Sequence, residues 1–190
     1  MKIGMARNAA PKKSHHHTPV TEPTDSEISL FERHLEMLLG KKKHPKILIV
    51  GPSPELRSLA AKFGLRTTVV ANDLEVIERT AKLMKRRNEN ERWLEGDLTS
   101  LPLKKNEFDV IFGDHIVSNA PPYNSEKFYR KMREILKRGG TALFRSIVFT
   151  KTEKPFEKKV TKYFRIVDKK LAKRGVFAEH FPIYLVKPKR

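Results

Sequence analysis

Residues 46–55 have the sequence Lys-Ile-Leu-Ile-Val-Gly-Pro-Ser-Pro-Glu, and this stretch decides the fold. Its apolar residues run without interruption from Ile47 to Val50 and stop at Gly51. An uninterrupted apolar run, rather than an alternating one, is typical of a strand that is buried on both faces of a parallel sheet. A helical pattern begins directly afterwards at Glu55, so the stretch predicts the first strand and the first crossover of an α/β domain.

The alternation of a short apolar strand with a longer helix continues along the chain. Strands that alternate with helices of about ten residues predict right-handed crossovers and a mostly parallel sheet. The predicted strands after the first are 67–71, 93–95, 108–112 and 141–149, and the predicted helices between them are 55–63, 74–87 and 125–136.

The end of the chain breaks this alternation. A helix is predicted over residues 157–173, followed by two strands over 176–181 and 183–187. Strands this close together must pair antiparallel, because a parallel pair needs a crossover of about a dozen residues or more. The sequence therefore predicts an α/β fold, a three-layer Rossmann-like sandwich whose mostly parallel, seven-stranded sheet ends in an antiparallel C-terminal strand pair.

The segment before the first strand divides into an arm and a helix. Residues 1–23 contain three prolines and three consecutive histidines without an apolar period, which predicts a flexible N-terminal arm. We expect residues 24–190 to form a single domain. That domain starts with an amphipathic helix, because apolar residues recur after Thr24 at helical spacing, at Ile28, Phe31, Leu35 and Leu38.

The composition limits the classes of function. The 190 residues include no Cys, which excludes a disulfide framework, a thiolate nucleophile and a Cys-ligated metal site. The formal net charge is +18, and half of it lies in residues 151–190, which carry 13 basic and 4 acidic residues. A basic surface attracts phosphates, so RNA is a candidate partner through residues 151–190. The alternative is a solvated, lysine-rich surface without a partner.

The sequence shows no membrane or export signal. No apolar run approaches the ~20 residues that a membrane-spanning helix needs, and the N-terminal segment lacks the continuous apolar core of a signal peptide. We therefore expect no membrane partner and a cytoplasmic location. No spacing of His, Asp or Glu defines a metal site, and the oligomeric state stays open.

Polar residues follow the predicted strands at the points where the strands end. Asp73, Asp97 and Asp114 lie within two residues of the second, third and fourth strand ends, and Gly51 begins the loop after the first. Ligands of open α/β sheets bind at the carboxyl ends of the strands, where a carboxylate can accept hydrogen bonds from a diol or an amine. For any single Asp, a helix cap or a turn is an equally good interpretation. Their recurrence after successive strands favours a ligand site.

Five short motifs occur in a fixed order across residues 46–145, and together they resemble the class I S-adenosylmethionine-dependent methyltransferases. The antiparallel end of the predicted sheet is similar to that family and unlike most nicotinamide-binding folds. The motifs are Ile47-Leu-Ile-Val-Gly51, Val69-Val-Ala-Asn-Asp73-Leu74, Glu95-Gly-Asp97-Leu-Thr-Ser-Leu-Pro102, Phe108-Asp-Val-Ile-Phe112 and Ile135-Leu-Lys-Arg-Gly-Gly140.

The resemblance implies S-adenosylmethionine as the cofactor and places its methionine end at the first loop. The backbone of Gly51, Pro52 and Ser53 would bind there, because glycine permits close approach and a helix N-terminus favours a carboxylate. The loop departs from the usual pattern in its two prolines, and Ile49 stands where an acid is often found. A subgroup of the family has a comparable Gly-x-Ser/Thr-Pro-Glu-Leu loop, so we predict a variant cofactor site. The alternative is a pseudoenzyme that keeps the fold without the ligand.

The resemblance also assigns the nucleoside contacts. Asp73 would accept hydrogen bonds from the ribose hydroxyls, with Leu74 beside the adenine. Asp97 would accept from the adenine amine, and Leu98 would pack on the ring. Gly113 would lie where the transferable methyl group meets its acceptor.

The acceptor side is predicted just after the fourth strand. His115 is the candidate general base, since its ordinary pKa near 6.5 suits proton removal at neutral pH, and Asp114 would orient it or serve instead. The alternative is that positioning alone suffices. Asn119 and Tyr123 are candidate substrate-binding residues, in a segment similar to the Asn-Pro-Pro-Tyr loop of amino-methylating relatives but with an extra Ala and a later position.

The predicted function is methyl transfer from S-adenosylmethionine to an unidentified acceptor. The chain has one Trp and four Tyr for stacking on bases, which favours a small-molecule acceptor. The alternative is an RNA methyltransferase, or a basic nucleic-acid-binding module of the same fold without catalytic activity. A nicotinamide oxidoreductase is disfavoured, because no Gly-x-Gly-x-x-Gly follows the first strand.

Overall fold

The computed structural model describes residues 22–114, 125–146, 148–149, 153–172 and 179–189. The helices are α1 (Asp25–Leu39), α2 (Pro54–Lys62), α3 (Leu74–Ala81), α4 (Glu126–Ile135) and α5 (Glu153–Tyr163). The strands are β1 (Ile47–Val50), β2 (Thr67–Ala71), β3 (Glu91–Glu95), β4 (Phe108–Asp114), β5 (Leu136–Arg145), β6 (Val148–Phe149), β7 (Phe164–Ala172) and β8 (Glu179–Pro188). None of these helices is long and apolar enough to cross a membrane.

Within the described residues, the strands form one eight-stranded sheet. Its order is β3-β2-β1-β4-β5-β8-β6, and β7 pairs with β8. Strands β1 to β5 are parallel, whereas β8 is antiparallel to its partners. The predicted mostly parallel sheet with an antiparallel C-terminal end is confirmed. Strand β6 is two residues long and lies inside the predicted strand 141–149, whereas β7 lies where a helix is predicted.

The two faces of the sheet carry separate apolar cores. Along β1, Ile47 and Ile49 pack against α1, α2 and α3, whereas Leu48 and Val50 pack against α4 and α5. All four side chains are at most 3% exposed. The prediction of a strand buried on both faces is therefore confirmed, and the architecture is a three-layer sandwich.

Helix α1 forms where the apolar period after Thr24 predicts a helix, and Thr24 is its N-cap. The Thr24 hydroxyl accepts from the Glu27 N–H, and the Glu27 carboxylate accepts from the Thr24 N–H at 2.6 Å, which forms a capping box. Phe31 packs edge-on against Phe112 of β4 with ring centroids 5.2 Å apart. Gly40 is the C-cap. The helix therefore lies across the first face of the sheet, over β4.

Asp109 is buried at the amino end of β4. Its carboxylate accepts from Lys42, from Lys137 at 2.7 Å and from the Lys46 N–H at 3.0 Å. Burial would raise the pKa of Asp109, but these hydrogen bonds outweigh burial and hold that pKa below its ordinary value. Because Lys42 follows α1 and Lys137 lies in β5, one carboxylate joins three elements. We call Lys42, Asp109 and Lys137 the amino-end triad.

Arg57 of α2 is a second buried charge. Its guanidinium donates to the Glu91 carboxylate at 2.6 Å and to the Thr80 hydroxyl at 2.9 Å. It also lies over the Trp93 ring, 5.5 Å from the centroid. The side chain is fully buried, so this pair holds α2 and α3 against the β3 edge of the sheet.

Two predicted boundaries before the C-terminal region are wrong. The helix predicted over 74–87 ends at Ala81, because the chain turns there and the Lys85 N–H donates to the Ser58 hydroxyl. The helix predicted to reach Leu136 ends one residue earlier, and β5 starts at once instead of at residue 141. Gly139, with φ +83°, and a shift of register against β4 accommodate the early start.

The predicted helix over 157–173 is wrong beyond Tyr163, because residues 164–172 form β7. The two predicted strands 176–181 and 183–187 are replaced by the single strand β8, and residues 176–178 lie outside the described residues. Pro182 does not interrupt β8, since its carbonyl accepts from the Ser146 N–H at 3.0 Å. The antiparallel pair is thus β7 with β8, and strand pairing overrides the local helical pattern.

Candidate functional site

The carboxyl ends of β1 and β4 lie side by side where the strand order reverses. Val50 pairs with Gly113, so Gly51 and Asp114 are the next residues at that edge. A reversal of strand order opens a crevice that is the usual ligand site of open α/β sheets. Strand β2 pairs with β1 on the other side and brings the residues after Ala71 to the same edge.

The first loop is rigid and poor in backbone donors. Gly51 has φ +88°, a conformation that a side chain would strain, and its N–H already donates to β2. Pro52 and Pro54 have no N–H. Ser53 caps α2, and its hydroxyl donates to the Glu55 carboxylate at 2.8 Å. The loop therefore presents the Glu55 carboxylate beside a single remaining amide, that of Ser53, and the carboxylate favours a cationic group beside it.

Asp73 and Leu74 form an open platform at the end of β2. Asp73 is exposed, and its Oδ1 caps α3 by accepting from the Glu75 N–H at 2.8 Å. Its Oδ2 has no partner among the described residues. Leu74 beside it is 36% exposed, an uncommon state for a large apolar side chain. One free carboxylate oxygen beside an apolar surface suits a nucleoside.

Asp97 and Leu98 are placed differently from Asp73 and Leu74. Both Asp97 oxygens accept from Thr99, Oδ1 from the N–H at 2.9 Å and Oδ2 from the hydroxyl at 2.8 Å. Each oxygen keeps a second lone pair for a ligand. Leu98 is 2% exposed and packs in the core, so its side chain does not face the edge. Gly113 is buried between β1 and β5.

Asp114 belongs to a buried ion cluster. Its Oδ1 accepts from Arg145 Nε at 2.6 Å, and Arg145 Nη1 lies 3.5 Å from the Glu27 carboxylate in the first turn of α1. Arg145 and Glu27 are at most 1% exposed, and the Asp114 side chain is 13% exposed. We call Glu27, Arg145 and Asp114 the carboxyl-edge triad. It fixes the start of α1 against the ends of β4 and β5.

The sequence analysis did not single out Arg145 or Glu27 as site residues. A signal for Arg145 existed, because a charge inside a predicted buried strand needs a buried partner. Glu27 is the third residue after Thr24 and completes a capping box. Because the capping box by itself explains an acid at this position, the sequence does not indicate the ion pair of Glu27 with Arg145.

Three predicted acceptor-side residues, His115, Asn119 and Tyr123, lie outside the described residues. Their roles stay predictions. In the ranges that the structure describes, no group of three His, Asp or Glu side chains could hold a metal ion, and the expected absence of a metal also stays a prediction.

A groove of about 450 Å³ lies between α1 and α2. It starts at Pro54 and Glu55 of the first loop and extends along α2 to Lys62 and Leu83. Asp73 and Gly113 do not line it. This groove therefore flanks the sandwich and meets the crevice between β1 and β4 only at the first loop, through Pro54 and Glu55.

Residues 48–140 match the family model described as a methyltransferase domain. The chain contains a methyltransferase domain. The matched range starts in β1 and ends in β5, so it includes every strand that borders the crevice. No curated protein sequence matches the methyltransferase.

Several solved structures share the fold of this methyltransferase at low sequence identity. The PH0226 protein from Pyrococcus horikoshii OT3 is 14% identical with a TM-score of 0.66, covering 95% of this chain and 100% of that one. The 1,6-didemethyltoxoflavin-N1-methyltransferase from Burkholderia thailandensis, with bound 1,6-didemethyltoxoflavin and S-adenosylhomocysteine, is 16% identical (TM-score 0.68, 86% and 78% covered). The N-methyltransferase NodS from Bradyrhizobium japonicum WM9, in complex with S-adenosyl-L-homocysteine, is 19% identical (TM-score 0.60, 87% and 94% covered).

The predicted methyltransferase is thereby confirmed. Two of these neighbours hold S-adenosylhomocysteine, the demethylated form of the predicted cofactor, S-adenosylmethionine. The residues at the crevice fit that cofactor. The free oxygen of Asp73 and the exposed Leu74 suit its nucleoside, and Glu55 suits its ammonium group. The left-handed Gly51 leaves room for close approach at the loop.

Proposed function

We propose that the methyltransferase transfers a methyl group from S-adenosylmethionine to a small molecule that approaches the carboxyl end of β4. One observation carries the proposal, the convergence of Gly51, Asp73 and Leu74 at the crevice between β1 and β4. The cofactor supplies an electrophilic methyl group on a sulfonium. Two structural neighbours support this acceptor class. The 1,6-didemethyltoxoflavin-N1-methyltransferase is named for methylation of a small molecule and holds that molecule, and NodS is named as an N-methyltransferase.

The nucleoside would be held by the ends of β2 and β3. Asp73 Oδ2 would accept from the ribose hydroxyls while Oδ1 keeps capping α3. Leu74 would cover the adenine, and Asp97 would accept from its amine through a remaining lone pair. Leu98 would act through its backbone N–H, since its side chain is in the core and no described hydrogen bond takes that N–H.

The methionine end would be held by the first loop. Gly51 and Pro52 would form the wall, and the Ser53 N–H would bind the carboxylate. Glu55 would bind the ammonium group, because its carboxylate is half-buried at the start of α2 and receives only the Ser53 hydroxyl among the described residues. In this loop the amides and the carboxylate thus divide the two charges of the amino acid between them.

The chemistry on the acceptor needs one proton acceptor. His115 would take the proton from the acceptor oxygen or nitrogen as that atom attacks the methyl carbon. Asp114 would orient His115 rather than replace it, because Asp114 Oδ1 is already bound to Arg145. Asn119 and Tyr123 would position the acceptor, which supplies much of the rate when the reaction is a displacement.

The decisive test separates the two functions of Asp73. Asp73→Ser keeps a hydroxyl that can cap α3 but removes the second oxygen, whereas Asp73→Asn keeps both the cap and an acceptor oxygen. We expect Asp73→Ser to weaken S-adenosylhomocysteine binding by about 30-fold in calorimetry, since hydrogen bonds to a charged group contribute about 2 kcal/mol. Glu75→Gln is the matched control, because Glu75 is exposed and lies two residues after Asp73, in the first turn of α3. Equal affinities of Asp73→Ser and the control would refute the ribose contact.

A second test identifies the acceptor class. The enzyme is incubated with methyl-labelled cofactor and a cell extract, and the label is measured separately in the small-molecule and RNA fractions. We expect label in the small-molecule fraction, and His115→Ala should lose that label while it binds S-adenosylhomocysteine normally. Label confined to RNA would instead establish the alternative of an RNA methyltransferase.

We propose that residues 24–190 act as one catalytic domain, that residues 1–23 are an appended arm, and that the enzyme works in the cytoplasm. The lack of Cys agrees with a reducing compartment. Removal of residues 1–20 should leave the thermal midpoint unchanged, because this proline-rich segment has no apolar period with which to pack on the domain.

A further inference from the structure

A basic groove lies at the end of the sheet opposite the catalytic crevice. Its volume is about 820 Å³, and it is lined by Arg138, Gly139, Arg165, Lys187, Pro188 and Lys189. We call it the amino-end groove. Its lining comes from the start of β5, the start of β7 and the end of β8. The register of β5 with β8 places all three at the amino end of the parallel strands, away from Gly51 and Asp114.

The four cations of the amino-end groove have no carboxylate partner among the described residues. Nearby, Lys42 and Lys137 share the Asp109 carboxylate, and Lys46 pairs with Glu107. The four cations are Arg138, Arg165, Lys187 and Lys189. Among the described residues, no Asp or Glu carboxylate lies within 4.0 Å of their charged groups, and no Asp or Glu lines the groove.

Two of these cations are placed against each other. Arg165 and Lys187 are direct partners on the antiparallel strands β7 and β8, so their side chains project from the same face. Like charges directly opposite destabilise a strand pair. Lys189 extends the ladder by donating its N–H to the Tyr163 carbonyl at 3.0 Å, two residues along the same face. Folding alone gives no reason for this arrangement, whereas a bound anion does.

The positive charge of this groove reaches the adjoining core. Burial, and after it the charge of Lys187, lowers the pKa of His34, whose Nε2 bonds the Thr141 hydroxyl at 2.7 Å. Thr141 lies in β5 and Lys187 in the neighbouring strand β8. The charge of Lys187, which pairs with no described carboxylate, thus affects the pKa of the buried His34.

We propose that the amino-end groove binds the phosphodiester backbone of a nucleic acid. The cations extend over β5, β8 and β7, three neighbouring strands that span about 10 Å, which is wider than one phosphate group. A chain of phosphates matches that width. Among the residues that the structure describes, no large apolar side chain lines the groove, and this composition is unlike that of a surface that inserts into a membrane. Because the groove and the crevice lie at opposite ends of the sheet, the nucleic acid and the methyl acceptor bind independently.

The test is a salt series of fluorescence anisotropy with a labelled 20-nucleotide RNA and the full-length protein. Four phosphate contacts predict a log–log slope near −2.8, or about 50-fold weaker binding between about 50 and about 200 mM salt. Arg165→Ala with Lys187→Ala should bring the slope close to −1.4 and weaken binding about tenfold or more at low salt. Lys82→Ala with Arg87→Ala removes the same charge from exposed positions after α3, and should leave the slope unchanged.

Several results would overturn the proposal. They are a slope weaker than about −1, equal losses in both double variants, competition by tripolyphosphate as effective as by RNA, and preference for anionic lipid vesicles over RNA. Thermal midpoints control for misfolding, and the Arg165 and Lys187 double variant should be at least as stable as the parent, because it relieves the like-charge pair. All variants should bind S-adenosylhomocysteine with parental affinity. A failure of that binding in the parent protein itself would count against the proposed catalytic function and not against this groove.

Discussion

The two ends of the β4–β5 strand pair carry ion clusters of opposite composition. At the carboxyl edge, one guanidinium, Arg145, lies between two carboxylates. At the amino end, one carboxylate, Asp109, lies between two lysines. Each triad joins β4, β5 and one end of α1.

The triads differ in burial, and this difference separates the proposed catalytic end from the proposed recognition end. Arg145 is 0% exposed, whereas Lys42 and Lys137 are 42% and 37% exposed. The buried triad has a surplus of negative charge beside the crevice proposed for the sulfonium cofactor. The half-exposed triad has a surplus of positive charge beside the amino-end groove. The sequence alone does not show that negative and positive charge gather at opposite ends of the sheet, because both triads are assembled from distant segments of the chain.

The largest effect is expected at the carboxyl edge. Arg145→Met leaves Glu27 and Asp114 without their shared cation in a buried site, which should cost about 3–5 kcal/mol of unfolding free energy. Urea denaturation at neutral pH measures it. Arg92→Met on β3 is the matched control, and it should change stability by less than about 0.5 kcal/mol because Arg92 is exposed. Similar losses for Arg145→Met and Arg92→Met would contradict the stabilising role of the carboxyl-edge triad.

An intermediate effect is expected at the amino end. Asp109→Asn should cost about 2 kcal/mol, since it weakens hydrogen bonds to charged donors that remain partly solvated. The pKa of Asp109 is lower in the folded protein, so its stabilisation is present above the unfolded pKa and is lost as pH falls through the folded pKa. The difference between parent and variant in denaturant titrations should be constant from about pH 7 to about pH 5 and shrink below about pH 4. A difference that does not depend on pH would contradict the ionic role.

The smallest effect is expected for the buried His34, whose contribution to stability depends on pH and on the charge of Lys187 in the amino-end groove. Burial and the charge of Lys187 lower the pKa of His34 in the folded protein. The unfolded chain therefore binds the proton more readily, and stability should decline as pH falls below about 6.5 toward the folded pKa. Denaturation of the parent and of His34→Gln at about pH 7.5 and about pH 5.5 isolates this contribution. Lys187→Met should reduce the decline, whereas Lys189→Met, farther along the ladder, is the control. An unchanged decline in Lys187→Met would show that its charge does not reach the core.

The parallel half of the fold was predictable because burial on both faces leaves a direct mark in the sequence. Ile47 to Val50 and Phe108 to Phe112 are continuous apolar runs that only a covered strand explains. The C-terminal part was not predictable in the same way. Lysines at helical spacing around residues 164–172 and the proline inside β8 both favour other structures locally, and pairing with distant strands decides the outcome.

The candidate site was predictable in position but not in bonding. The acids after the strands arrive at one edge, as topology requires, yet the sequence did not distinguish the half-free Asp73 from Asp97, which Thr99 engages on both oxygens. Arg145 shows the limit. Its partners lie 31 and 118 residues away in the chain, so no local pattern reports them.

Helix α1 is held by an ion cluster at each end, with Glu27 in its first turn and Lys42 just after its last. Fraying normally starts at a helix terminus, where few contacts must break. Here either terminus must first give up a charged contact to β4 and β5. The amide protons of α1 should therefore exchange with solvent only when the central strands separate, which makes this helix part of the slowest-exchanging cooperative unit of the enzyme.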